Sequence, residues 1–73
     1  MKHMTLPDFL TPVQIDSARA LYRKFKGTGK FASECAKQII EPNMVEINRK
    51  LGQENDPKYL AYACEYVFMQ TGG

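Results

Sequence analysis

The stretch Phe25-Lys26-Gly27-Thr28-Gly29-Lys30-Phe31-Ala32, FKGTGKFA, admits two readings that lead to different folds. Its Gly-Thr-Gly-Lys centre suggests a phosphate-cradling loop between a strand and a helix. Its two glycines equally suit a corner between two helices. A phosphate loop of the Walker A type runs G-x-x-x-x-G-K-[ST]. Counting back from Gly29-Lys30 puts Lys24 where the first glycine should stand, and Phe31 replaces the hydroxyl that would hold magnesium. A buried strand should precede such a loop. Instead, Ile15, Ala18, Leu21, Tyr22 and Phe25 recur at helical spacing. The corner reading follows: Gly27 ends one helix in left-handed backbone and Gly29 loosens the turn. What survives of the phosphate reading is a weak anion site, with Lys30 beside the free N–H groups of the next helix.

Working outward, the helix before this corner has a well-marked start. Thr11 is a good N-cap, Pro12 fits the first helical position, and Gln14 completes a capping box. Leu10 and Ile15 can close a hydrophobic staple around it. After the corner, Phe31, Ala32, Cys35, Ala36, Ile39 and Ile40 form a second apolar stripe. Thr28 is a candidate cap for it. Pro42 removes a backbone donor and disfavours helical geometry at Glu41, so it should stop or kink this helix and open a third. Met44, Ile47 and Leu51, with Val45 beside them, mark the third helix's inner face, and Gly52 ends it. Asp56-Pro57 then repeats the cap-plus-proline start. No segment alternates with period two. The expected fold is all-α: a single-domain bundle of four short helices at about 12–26, 30–41, 42–51 and 57–70.

Length and composition bound what such a fold can do. The 73 residues make one domain, 1–73. Met1 to His3 reads as an expression remnant before Met4, and 4–10 as an N-terminal extension. A domain this small buries only ~60% of the surface its unfolded chain would expose, so a partner or very good packing must stabilise it. No apolar run reaches the ~20 residues of a membrane span and no secretory signal is visible. A cytoplasmic protein without a membrane partner is expected. Cys35 and Cys64 lack the spacing and companions of a metal site. They read as small buried hydrophobes, with an inter-helix disulfide or redox switch as the alternative. Setting His3 aside leaves no histidine base, and no two acids share an otherwise apolar face. No catalysis, cofactor or metal is expected.

Two surfaces remain as candidate sites. In the last helix, Leu60, Ala63, Cys64 and Val67 make one inner face. Tyr59, Tyr62, Tyr66 and Met69 form a second stripe at i, i+3, i+7 and i+10 on roughly the opposite side, with Ala61 and Phe68 filling one flank. A helix apolar on nearly all sides must be covered on nearly all sides. Either the monomer wraps it, with tyrosine hydroxyls at the rim, or the tyrosine stripe meets a partner. We expect association through this stripe, as a homodimer or with another protein. The alternative is a DNA-binding regulator. Residues 31–51 have the outline of a helix-turn-helix, in which Asn48, Arg49 and Lys50 would face the groove. Arg19, Arg23, Lys24, Lys26 and Lys30 fall in twelve residues without an acid, leaving a net −3 elsewhere. Of these, Arg19, Arg23 and Lys26 line one flank of the first stripe and, with Lys30, could contact phosphate. An ordinary solvated face would carry the same residues.

Overall fold

The Thr11 capping box forms as its residue types dictate. The Gln14 N–H donates to Thr11 Oγ1 at 3.2 Å, and the Thr11 N–H donates to Gln14 Oε1 at 2.9 Å. From it runs α1, Pro12–Phe25. In this computed structural model, which describes residues 8–72, the proposed remnant Met1–His3 and positions 4–7 of the extension lie outside the described residues. The end of that extension is a working part of the fold: Phe9 and Leu10 are buried in the same core as Ile15.

The corner after α1 is built as a helix-to-helix turn. Gly27 and Gly29 sit at φ +83° and +77°, where a side chain would be strained. Thr28 ties the turn together. Its hydroxyl donates to the Phe25 carbonyl and accepts the Lys30 N–H at 3.2 Å. Lys30, not Thr28, occupies the N-cap position of the next helix, which starts at Phe31.

Among the described residues the expectation of four helices is corrected to three, because Pro42 does not interrupt the chain with a loop. The α-helical turns Phe31–Cys35, a π-helical turn Ala36–Ile40, a 3₁₀ turn Glu41–Asn43 and the α-helical turns Met44–Leu51 follow one another without a gap. We treat 31–51 as one irregular helix, α2. Proline has no N–H to give and its ring crowds the carbonyl four residues back. The backbone answers by widening and then tightening. The Glu41 N–H reaches back five residues to the Ala36 carbonyl, and the Met44 N–H only three, to that of Glu41. Asn43 Nδ2 donates to the Ile39 carbonyl at 2.6 Å, supplying a donor near the one that proline lacks. Widened turns of this kind are rare and occur mostly as single turns inside α-helices.

α3, Pro57–Thr71, starts on Asp56, whose carboxylate accepts the Lys58 N–H at 2.9 Å. It packs on both α1 and the first half of α2. Each helix sends one ring to the centre. Tyr22 meets Phe31 edge-on at 5.5 Å, Phe31 meets Phe68 at 6.0 Å, and Tyr22 lies 5.6 Å from Phe68. These separations and tilts are the favourable ones for aromatic pairs. Among the described residues there is no strand. The radius of gyration of 11.4 Å matches the roughly 11 Å of a compact chain of this length.

Two details of the inner faces differ from expectation. Leu51 and Val45 are exposed, leaving Ile47 as the buried residue of Met44–Leu51, with Met44 packed at the core edge. In α3 the core face is rotated. Ala61 and Phe68, expected on a flank, are fully enclosed with Leu60, Cys64 and Val67, while Ala63 is only half-buried. The rotation follows from bulk: the largest apolar side chain, Phe68, takes the central position between α1 and α2.

Candidate functional site

Turning Phe68 inward turns the tyrosines outward. Tyr59, Tyr62, Tyr66 and Met69 are exposed by 68%, 53%, 63% and 64%. The monomer therefore leaves this stripe in solvent. At 1.5 Å rise per residue the row is roughly 15 Å long, and none of its four members is charged. Four such side chains expose on the order of 500 Å² of surface, as much as the largest patch on a typical monomer, which is often functional. The rings have few rotatable bonds and an amphipathic edge, which lowers the ordering cost on docking. Glu65 and Ala63, both half-buried, lie between the row and the core.

The residues considered for phosphate or base contact are differently placed. Arg19 is largely held by the fold, with its guanidinium carbon 5.7 Å from the Phe68 ring centre and a 3.9 Å ion pair to Asp16. Lys26 lies 5.9 Å over the Tyr22 ring, whereas Arg23 and Lys30 are simply exposed. Asn48 is spent on the chain itself. Its Oδ1 accepts the Asn55 N–H at 3.0 Å and Asn55 Nδ2 at 3.3 Å, clasping the loop that follows α2. Arg49 pairs with Glu46 at 3.0 Å, and Lys50 is exposed. A helix-turn-helix needs two helices crossing at a turn, and 31–51 is continuous. The outline drawn for that stretch is therefore corrected with the helix count.

A surface hollow of about 370 Å³ lies between α2 and the start of α3, lined by Ser33, Ala36, Lys37, Glu41, Asp56, Pro57 and Lys58. Sequence reading had no signal for it, because its walls come from two separate helix segments. Its two lysines and two carboxylates balance, and Asp56 already caps α3, so nothing in it selects a ligand. Among the described residues no group of three His, Cys, Asp or Glu side chains could hold a metal ion. Among the same residues no helix is long and apolar enough to cross a membrane.

Comparison with protein-family models, with curated proteins and with solved structures finds no match for this chain.

Proposed function

We propose that the protein is a small non-catalytic interaction module that pairs with a second copy of itself through α3. The observation that carries this reading is the exposed, uncharged row of Tyr59, Tyr62, Tyr66 and Met69. The spacing of the row supports a two-fold pairing. Its members are separated by three, four and three residues, a palindrome about position 64. Laid antiparallel on its copy, Tyr62 falls against the partner's Tyr66, and Tyr59 against the partner's Met69. A two-fold interface requires that reciprocity. Two such patches together would bury on the order of 1,000 Å², at the lower edge of specific interfaces. The pairing is accordingly expected to be reversible, and to suit a regulatory or adaptor role.

Sedimentation or light scattering across micromolar concentrations tests this. The wild-type chain should approach twice the monomer mass as concentration rises. Tyr62→Glu places two charges at the centre of the dimer and should hold the chain at monomer mass with unchanged helical circular dichroism. A wild-type chain that stays monomeric throughout, or a Tyr62→Glu variant with wild-type size, removes the proposal.

A further inference from the structure

Cys35 lies in the first half of α2 and Cys64 in the middle of α3. Both are free, fully enclosed and part of the same core cluster. The two helix segments that carry them are the most extensively packed pair in the molecule. Their thiols are neighbours across that contact, near enough to perturb each other. The core around them contains no buried charged or polar side chain among the described residues. No structural demand for hydrogen bonding explains why two sulfurs, rather than two alanines or valines, should face each other there.

We propose that Cys35 and Cys64 are a dithiol that a small hydroperoxide converts to a disulfide joining α2 to α3. Enclosure selects the oxidant. Hydrogen peroxide is uncharged and near the size of water, so brief local opening admits it, whereas glutathione disulfide or a bulky alkylating reagent needs far wider opening. The Cys35 thiolate attacks one peroxide oxygen, the O–O bond breaks, and hydroxide leaves, giving Cys35 sulfenic acid. The Cys64 sulfur then attacks the Cys35 sulfur and the hydroxyl leaves as water, taking up the Cys64 proton. In total, two thiols and one peroxide give one disulfide and two waters. The order follows from how the two thiols perturb each other. Interaction with Cys64 holds the Cys35 thiol below its usual range, while interaction with Cys35, and burial, push Cys64 up. We assign Cys35 as the attacking sulfur and Cys64 as the resolving one.

The whole chain, treated with hydrogen peroxide under native conditions, should lose two hydrogens in its intact mass. Proteolysis without reductant should recover the Cys35 peptide joined to the Cys64 peptide. Because the bond closes a loop of about 30 residues, the oxidised chain should melt about 10 °C or more above the reduced one, with dithiothreitol restoring the difference. Cys64→Ala should stop the reaction at a Cys35 sulfenic acid, seen as one added oxygen in the intact mass of that variant, and Cys35→Ala should leave Cys64 inert. Both thiols should resist iodoacetamide until the chain is unfolded. Thiols that survive peroxide, oxygen added without a cross-link, a link between two chains, or an oxidised form that melts no higher than the reduced would each overturn the proposal. The wild-type mapping decides the matter even where a cysteine variant fails to fold.

Discussion

Phe68→Ala is expected to remove a large share of the fold's stability and to lower the urea midpoint steeply. Phe68 is fully enclosed and touches a ring from each of the other two helices, Tyr22 and Phe31. Truncating a buried phenylalanine costs about 3–5 kcal/mol, through lost transfer energy and the cavity left behind. A chain of this length has a total stability of roughly 4–11 kcal/mol. A second loss falls on Arg19. Its Nε is buried without a hydrogen-bond partner, and its guanidinium lies over the Phe68 ring. Removing that ring takes away the favourable face on which the cation rests. Urea unfolding followed by circular dichroism measures the effect, at matched protein concentration because self-association would add to apparent stability. Phe68→Leu, which keeps most of the volume, should retain much more of the transition. An alanine variant with the wild-type urea midpoint would mean that the three-ring cluster is not the centre of the core.

Ile47→Ala should have the next largest effect, and a different character. Ile47 is the one buried residue of Met44–Leu51 and is almost wholly enclosed. An isoleucine-to-alanine change in a core costs about 2–5 kcal/mol. Here the loss should be local first. The remaining ties of this segment are the core-edge packing of Met44 and the clasp between Asn48 and Asn55. Ile47 belongs to the same core cluster as Tyr22, Phe31 and Phe68, but it is the one buried member that 44–55 contributes to it. Amide hydrogen exchange should therefore show protection lost across 44–55 while 60–68 retains most of its own. Equal acceleration at every amide would show that the end of α2 opens only with the whole molecule.

The contrast between these two sites shows where sequence reading succeeded and where it could not. Thr11, Gln14 and Asp56 cap as their positions suggest, because a cap is a bond between groups at most three residues apart. The stripe of α1 and that of Phe31 to Ile40 were legible because in each only one face is apolar, so periodicity alone identifies the inside. α3 has no such asymmetry. With apolar residues around most of its circumference, spacing offers two candidate inner faces, and the choice falls to whichever fits the gap between α1 and α2. Phe68 fits it, which leaves the tyrosines outside. Pro42 failed for a related reason. Proline's local penalty is real, but a widened turn and one asparagine side chain absorb it when Ile39, Ile40 and Ile47 can all stay buried as a result.

The local chemistry of this chain determined its all-helical character, the starts of α1 and α3, the glycine corner after α1, and the existence of an outward aromatic row as one of two options. Tertiary packing alone decided that 31–51 remains one helix, that Phe68 and not Ala63 faces the core, that Leu51 lies outside, and that Cys35 and Cys64 are neighbours. The physical reason is range. Backbone hydrogen bonds and caps close over a few residues and can be read where they stand. Burial is a competition for a shared interior among side chains up to sixty positions apart, and its outcome belongs to no single segment.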